Sequence, residues 1–166
     1  MSNASIRPLV ILGSTASGKS DVAMAYALAR PGTEILAVDA MQVYRRMDIG
    51  TAKPSAADRA AVPHHGIDLA EPSDEFAVTD FELAARAALG NIDKRGGQPV
   101  LVAGTGLYLR ALTDPMEIPG RWPDVRSALE ARAADEGCAA LHRQLVELDP
   151  LAASRMEPSN ERRVVR

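Results

Sequence analysis

Apolar residues in the first two thirds of the chain form three short unbroken runs, over residues 9–12, 35–38 and 99–103. Such runs are typical of strands that lie in a parallel sheet covered on both faces, whereas alternation would indicate one exposed face. The pattern therefore predicts three buried strands, of which the second spans 34–38 and ends at Asp39.

Helical spacing of apolar residues separates these strands. Residues 18–30 predict an alanine-rich helix, and residues 55–62 predict a short helix with Ser55 as N-cap. The first strand, first helix and second strand thus form a βαβ unit with an expected right-handed crossover. The clearest helix begins at Thr79, which forms a capping-box pattern with Glu82. Its apolar face comprises Phe81, Ala85, Ala88 and Ile92.

Two connecting segments lack a clear period. Residues 41–54 carry several charged side chains, so we expect a functional loop with a short helical start. Pro63 and Gly66 enclose two histidines in a break after the second helix, and residues 67–69 predict a brief strand.

From residue 113 the pattern becomes helical and contains no strand signal. Apolar residues recur at helical spacing over 124–137 and 141–148, and Ser159 can cap a last short helix. The sequence therefore predicts an α/β core over residues 1–112 and an incomplete helical insertion over 113–166, with more chain expected after it.

The composition is that of an ordinary globular protein. The 166 residues are 46% hydrophobic and 25% charged, and a formal net charge of −3 gives no bulk electrostatic reason for nucleic-acid binding, although a local basic surface stays open. Cys138 is the single cysteine, which excludes an internal disulfide and suits a reducing cytosol. No apolar run approaches the ~18 residues of a membrane span, and no signal-peptide pattern precedes the first strand. We therefore expect a cytoplasmic protein without a membrane partner.

Residues 13–20 carry the most specific motif, Gly-Ser-Thr-Ala-Ser-Gly-Lys-Ser. The spacing G-x-x-x-x-G-K-S/T between a strand and a helix is that of a P-loop, whose unpaired backbone N–H groups and helix dipole bind phosphate. Lys19 can reach the outer phosphates, and the Ser20 hydroxyl can hold Mg²⁺. The predicted phosphate-binding residues are Gly13, Ser14, Thr15, Ala16, Ser17, Gly18, Lys19 and Ser20.

Further candidate residues follow the second and third strands, at the edge where ligands bind in open α/β sheets. Asp39 could ligate Mg²⁺, contact a ribose, act as a base or cap the next turn. In Gly104-Thr105-Gly106 the glycines permit close approach of a ligand and Thr105 adds a hydroxyl, with a simple strand-to-helix turn as the alternative. Lys53 could reach a polyphosphate or be a solvated lysine.

Two other clusters could carry chemistry. His64 and His65 are adjacent and have no cysteine or further histidine nearby, so we expect them to pack in the loop rather than bind a metal. Arg162, Arg163 and Arg166 lie at a helix start, where the last two share a face that suits a phosphate backbone. A solvated face is the alternative.

Together these segments resemble one family, the tRNA dimethylallyltransferases, also called tRNA isopentenyltransferases. The matching motifs are G-x-T-A-S-G-K-S/T, V-D-A-M-Q-V-Y, M-D-I-G-T-A-K-P, P-H-H-x-I-D, G-T-G-L-Y and R-R-V-V-R, and they extend from Gly13 to Arg166. The stretch from Asp39 to Pro54 is long and unusual, which makes the resemblance much more specific than a P-loop alone.

The resemblance implies a P-loop NTPase-like parallel sheet flanked by helices and a transferase activity. Such an enzyme moves the dimethylallyl group of dimethylallyl diphosphate to N6 of an adenine next to the tRNA anticodon. The P-loop would hold the diphosphate with Mg²⁺, and the adenine would leave the stack of the anticodon stem-loop to reach the pocket. We also expect the protein to act as a monomer.

The resemblance also implies roles for individual residues. Asp39 matches the general base that accepts the N6 proton, Thr105 matches a substrate-contacting residue, and Lys19 would neutralise the leaving diphosphate. The implied tRNA contacts are Asp39, Ala40, Met41, Gln42, Thr105, Arg126, Arg162, Arg163, Val164, Val165 and Arg166.

Two departures from the family pattern are visible. Ser14 stands where the family commonly has proline, which costs little because the backbone amides bind the ligand. Family members also continue past Arg166 to complete the core and the tRNA channel, so we expect weak or absent catalysis by this chain.

Other functions share these motifs. A small P-loop kinase for a nucleotide or metabolite has the same fold and would prefer ATP to dimethylallyl diphosphate, but no arginine-rich lid pattern follows the third strand. A non-catalytic remnant would bind phosphate or RNA without forming product. An enzyme that prenylates free AMP would also carry the P-loop and Asp39, and the R-R-V-V-R match argues against it.

Overall fold

The computed structural model describes residues 7–104, 106–114 and 122–166. The chain separates into two compact units, Met1–Glu117 and Ile118–Arg166. Within the described part of the first unit, the strands are β1 (Leu9–Leu12), β2 (Thr33–Val38), β3 (His64–His65) and β4 (Gln98–Ala103). All neighbouring strands are parallel, and their order in the sheet is β1-β4-β2-β3. The α/β fold with a parallel sheet is therefore confirmed.

Helices cover both faces of the central strands. The helices of this unit are α1 (Lys19–Leu28), α2 (Ala56–Ala61), α3 (Val78–Lys94) and α4 (Gly106–Thr113), and all but α2 contribute to the covering layers. One cluster joins Ile35, Val100 and Val102 to Ala23 and Ala27 of α1. The opposite cluster joins Leu36, Val38, Leu101 and Ala103 to Phe81 and Ala85 of α3 and to Tyr108 of α4. This alternation confirms β2 and β4 as buried strands, because successive residues of each strand face opposite helical layers.

The first strand departs from its prediction. Leu9, Val10 and Leu12 are 37%, 38% and 65% exposed, so β1 is not a buried strand. Among the described residues it pairs only with β4, which makes it an edge of the sheet. An apolar run indicates a strand but contains no information about which neighbours will cover it.

Strand β3 lies three residues before the position predicted for the brief strand. His64 and His65 pair with Ile35 and Leu36 of β2, so the prediction of a strand over 67–69 and of a histidine loop is wrong. Gly66 ends this strand with a φ of 77°, where the chain passes close to β2. Residues 41–54 form turns rather than a helical start, with one isolated bridge between Tyr44 and Ala70.

Side-chain capping explains two helix starts. Ser55 and Asp58 form the cap of α2, because each side chain accepts a hydrogen bond from the other's backbone N–H. The predicted pair at the start of α3 is wrong: Asp80 accepts from Ala77 N–H at 2.8 Å, which starts the helix earlier than Thr79. Glu82 instead bonds Arg86 within the helix at 2.8 Å.

The described part of the second unit is helical and contains no strand, as predicted. Its helices are α5 (Pro123–Glu136), α6 (Cys138–Leu148), α7 (Pro150–Ala153) and α8 (Glu161–Val165). Ala133, Leu141 and Val165 form its small buried core. Asn160 rather than Ser159 caps α8, because its side chain accepts from Arg163 N–H. Across the described ranges of both units, no helix is long and apolar enough to cross a membrane.

Candidate functional site

The strand register brings three sequence motifs to one edge of the sheet. Leu12 and Val38 both align with Ala103, so β1, β2 and β4 end at the same level. The next residues are Gly13 of the P-loop, Asp39 and Gly104. A cavity of ≈760 Å³ opens at this edge. Its lining includes Thr15, Ala16, Ser17, Gly18, Lys19, Ser20, Asp39, Met41, Gln42, Thr51, His64 and Gly104.

The P-loop has the backbone that its glycines permit. Gly18 takes a left-handed φ of 76° immediately before α1 begins. Gly13 packs so closely that a Cβ there would lie 2.6 Å from Ser17 Oγ. Residues 13–18 therefore carry the chain from β1 into the ten-residue α1, whose first residues line the cavity with backbone N–H groups that have no partner inside the helix.

Lys19 lies between the P-loop and the end of β4. Its Nζ donates to the carbonyl of Ser14 at 3.0 Å. A Cβ at position 104 would lie 3.4 Å from this Nζ, so Gly104 gives the lysine room. The ammonium is thus a cavity-facing positive charge beside the loop amides, which suits an anionic ligand.

Asp39 takes the capping role left open by the sequence, and the base role stays a prediction. Its Oδ1 accepts from the backbone N–H groups of Met41 at 2.7 Å and Gln42 at 3.1 Å, which caps the following turn. Its Oδ2 has no hydrogen-bond partner among the described residues. The same carboxylate can therefore hold the turn with one oxygen and accept a proton with the other.

Gln42 closes the loop that follows. Its Nε2 donates to the carbonyls of Thr51 and Ala52, both at 3.1 Å. The first and last parts of the 41–54 loop are thereby joined across the cavity wall. Met41 is 46% exposed, and Ala40 packs against the core cluster of Leu36 and Phe81.

Lys53 lies in neither of the two environments that the sequence left open, a polyphosphate site or bulk solvent. Its side chain is 0% exposed, and its Nζ bonds Tyr44 O at 2.6 Å, Asp68 Oδ1 at 2.9 Å and Asp48 Oδ1 at 3.1 Å. Because its three N–H groups already face oxygens, it is neither a polyphosphate ligand nor a solvated lysine. The sequence does not show this, because its partners are other turns of the chain.

His64 is a cavity residue that the sequence analysis missed. Its Nδ1 lies 2.8 Å from Val62 O, and burial, as the largest effect, lowers the pKa of the ring. The imidazole is therefore neutral at neutral pH. The P-H-H motif marked this position, but its placement beside β2 needed the pairing of Ile35 with His64.

The remaining candidate residues are Thr105 and a group in the second unit. Thr105 lies outside the described residues. Arg126 belongs to α5 and bonds Glu130 at 2.8 Å. In the second unit Arg162, Arg163 and Arg166 are exposed, whereas Val165 is buried against Ala133 and Leu141. The residue beside it, Val164, packs at the edge of the same core.

Similarity to known proteins agrees with these motifs. The family model described as IPP transferase matches residues 42–166. The tRNA dimethylallyltransferases of Bifidobacterium longum (strain NCC 2705) and Anaeromyxobacter dehalogenans (strain 2CP-C) are each 49% identical to the chain over 96% and 97% of its length. The alignments cover 50% and 54% of those proteins, so the chain spans about half the length of these curated relatives.

Two solved structures share the fold. The full-length tRNA isopentenylpyrophosphate transferase from Bacillus halodurans is 42% identical with a TM-score of 0.61, covering 96% of this chain and 53% of that one. A eukaryotic dimethylallyltransferase acting on tRNA is 29% identical with a TM-score of 0.78, covering 95% of this chain and 39% of that one.

Proposed function

This chain belongs to the IPP transferase family, and we propose that it transfers a dimethylallyl group from dimethylallyl diphosphate to N6 of an adenine next to the anticodon of tRNA. In this reaction the bond between the allylic carbon and a diphosphate oxygen breaks, and a carbon–nitrogen bond to N6 forms. The N6 proton passes to a base, and diphosphate leaves. One observation carries the proposal: the P-loop, Lys19 and Asp39 line the same cavity.

The P-loop side of the cavity supplies the diphosphate site. Developing charge on the leaving group would be stabilised by the loop amides and by Lys19, which already lies beside them. Positive charge on the reacting carbon would spread over the allyl system, which makes that carbon reactive toward a weak nucleophile. Stabilising the negative charge on the departing diphosphate is therefore the main requirement.

Asp39 supplies the base. An exocyclic amine is a weak nucleophile, so both its position and the removal of its proton affect the rate. The Asp39 turn, fixed by Met41 N–H and Gln42 N–H, leaves Oδ2 without a hydrogen-bond partner in the described part of the chain. That oxygen is the atom to which we assign the N6 proton.

Mg²⁺ fits the donor chemistry of this edge. The Ser20 hydroxyl is exposed on the first turn of α1 and lines the cavity, and a hard oxygen donor beside a phosphate site suits Mg²⁺. When bound, the ion would neutralise charge on the diphosphate. Ser20 is the protein ligand that we assign to it. The monomeric state stays a prediction.

The RNA would also contact the second unit. We assign this role to the exposed arginines Arg162, Arg163 and Arg166, with Arg126 as a further contact. Arginine binds phosphate oxygens and positions a nucleic acid without reading its bases. Val165 would contribute through its backbone, because its side chain packs inside the unit.

Titration calorimetry with dimethylallyl diphosphate and Mg²⁺, with ATP in parallel, tests the proposal. We expect preferential binding of the allylic diphosphate, as the named relatives favour prenyl transfer over a kinase. Lys19→Ala should weaken this binding ~10- to 100-fold, since hydrogen bonds to charged groups contribute about 1.5–3 kcal/mol. Lys94→Ala, an exposed lysine at the end of α3, is the matched control and should leave the affinity unchanged.

Three outcomes would contradict the assignment. Preference for ATP would indicate the kinase. If the Lys19→Ala variant bound dimethylallyl diphosphate as tightly as the unaltered chain, the assignment of the P-loop as the diphosphate site would be wrong. Transfer of the dimethylallyl group to an anticodon stem-loop RNA can be measured by mass spectrometry. Tight binding of the diphosphate without such transfer would indicate the non-catalytic remnant.

A further inference from the structure

Lys53 is a buried cation whose contacts are all inside the protein. Its side chain is 0% exposed, and the ammonium meets the Tyr44 carbonyl and the carboxylates of Asp68 and Asp48 within 3.1 Å. A charge removed from water is tolerated only where such partners replace its hydration. Here the three N–H donors have three oxygen acceptors, so the arrangement is complete without a ligand.

The carboxylate of Asp68 joins this lysine to the helix that follows. Its Oδ1 bonds Lys53 at 2.9 Å and its Oδ2 bonds Arg59 at 2.6 Å. Burial opposes ionisation, but the bonds from Lys53 and Arg59 outweigh it and lower the pKa of Asp68. Asp68 is therefore ionised at neutral pH and links Lys53, which precedes α2, to Arg59 in the last turn of α2.

The surrounding cations all have oxygen partners within the cluster. Arg59 also donates to Pro54 O at 2.9 Å and Arg45 to Asp68 O at 2.9 Å, while Arg46 pairs with Glu71. These side chains line a second cavity of ≈590 Å³. Because each cation there contacts a carboxylate or a carbonyl, the cluster links separate turns of the backbone to one another.

The segment that this cluster holds forms one wall of the P-loop cavity. Gln42, Thr51, Ala52 and Lys53 all line that cavity, and Gln42 bonds the carbonyls of Thr51 and Ala52. Ala52 and Asp68 have left-handed φ values of 50° and 54°, which non-glycine residues rarely adopt. Such conformations persist where surrounding contacts enforce them.

We propose that Lys53 is a positioning residue: its ammonium, held by Tyr44, Asp48 and Asp68, fixes the 41–54 loop so that the Asp39–Gln42 turn and Thr51 keep one place in the substrate cavity. This inference rests on the proposed prenyl transfer, for which the loop would place the acceptor adenine. Lys53 acts through the loop and exchanges no proton with the substrates.

Hydrogen exchange of the Lys53→Met variant tests the positioning role. Methionine keeps the length of the side chain and removes its charge. We expect amides of residues 41–54 to exchange at least tenfold faster, while those of β2 and β4 keep their rates. Lys94→Met, the same change at an exposed lysine, should alter neither set. Unchanged exchange in 41–54, or an equal increase throughout the first unit, would overturn the proposal.

Kinetics with an anticodon stem-loop RNA separate positioning from general stability. We expect Lys53→Met to lower kcat at least tenfold and to leave the affinity for dimethylallyl diphosphate within twofold. If kcat and the affinity for dimethylallyl diphosphate both fell by the same factor, Lys53 would have only a structural role. If the unaltered chain forms no product, the transferase proposal fails, whereas the exchange experiment still decides whether Lys53 fixes the loop.

Asp68→Asn provides a second variant should Lys53→Met fail to fold. The amide keeps the size of the carboxylate and an acceptor oxygen but removes the charge shared by Lys53 and Arg59. We expect the same local increase in exchange over 41–54, reduced to about threefold. Wild-type exchange rates in this variant would contradict the role given to the cluster.

Discussion

Replacing the buried Gly66 by alanine should destabilise the first unit by more than the backbone strain of a left-handed turn residue alone. Gly66 leaves β3 with a φ of 77°, and a Cβ built there would lie 2.3 Å from the carbonyl oxygen of Ala37 and 3.2 Å from Leu36 Cδ1. Ala37 pairs with Val102 in the middle of the sheet, so its carbonyl cannot move away without disturbing the ladder.

Two costs add at this position. A left-handed conformation costs a non-glycine residue about 1–2 kcal/mol. Forcing an extra carbon into a packed site costs about 1–3 kcal/mol more. We therefore expect a loss of about 2–5 kcal/mol, a large part of the ~5–15 kcal/mol that stabilises a typical domain.

Gly96 is the matched control for this prediction. It has a similar φ of 68°, but among the described residues no heavy atom lies within 4 Å of the Cβ it would carry. Gly96→Ala should therefore cost only the conformational part, about 1–2 kcal/mol.

Urea unfolding followed by circular dichroism measures both free energies. The steric argument predicts that Gly66→Ala loses at least ~1 kcal/mol more than Gly96→Ala. Equal losses for the two variants would refute it and would mean that β3 and β2 can move apart freely.

The remaining predictions concern the base and an ion pair. Asp39→Asn keeps an acceptor for the N–H groups of Met41 and Gln42 but removes the base. The rate of transfer should therefore fall ~100-fold or more, while dimethylallyl diphosphate still binds. Transfer at the original rate would exclude Asp39 as the base. For Glu34, burial opposes ionisation, but hydrogen bonds from His65 and Arg95 outweigh it and lower the pKa below the ordinary 4.5. A lowered folded-state pKa gives stability that is complete above the unfolded value and is lost as the pH falls through the folded value. Stability in urea should thus decrease below about pH 4.5, and Glu34→Gln should lose less over this range; identical pH profiles would show that Glu34 does not contribute.

Local signals in the sequence were enough for the P-loop, the central strands and the main helices. The strand 99–103 follows from its unbroken apolar run, and the helix face of Phe81, Ala85 and Ile92 follows from its 3.6-residue spacing. The position of Asp39 at a strand end followed in the same way, since parallel strands end at a common edge. These features depend on residues within a few positions of one another.

Only the tertiary structure decided the exposure of β1, the strand at His64 and the burial of Lys53. Each depends on a partner far along the chain: β1 on which strands lie beside it, His64 on Ile35, and Lys53 on Asp68. The same lysine would be solvated if the 41–54 loop lay elsewhere. Spacing in a sequence determines which faces of a helix or strand are apolar. The free energy of burying a charged side chain or a strand depends instead on which distant groups replace the water around it.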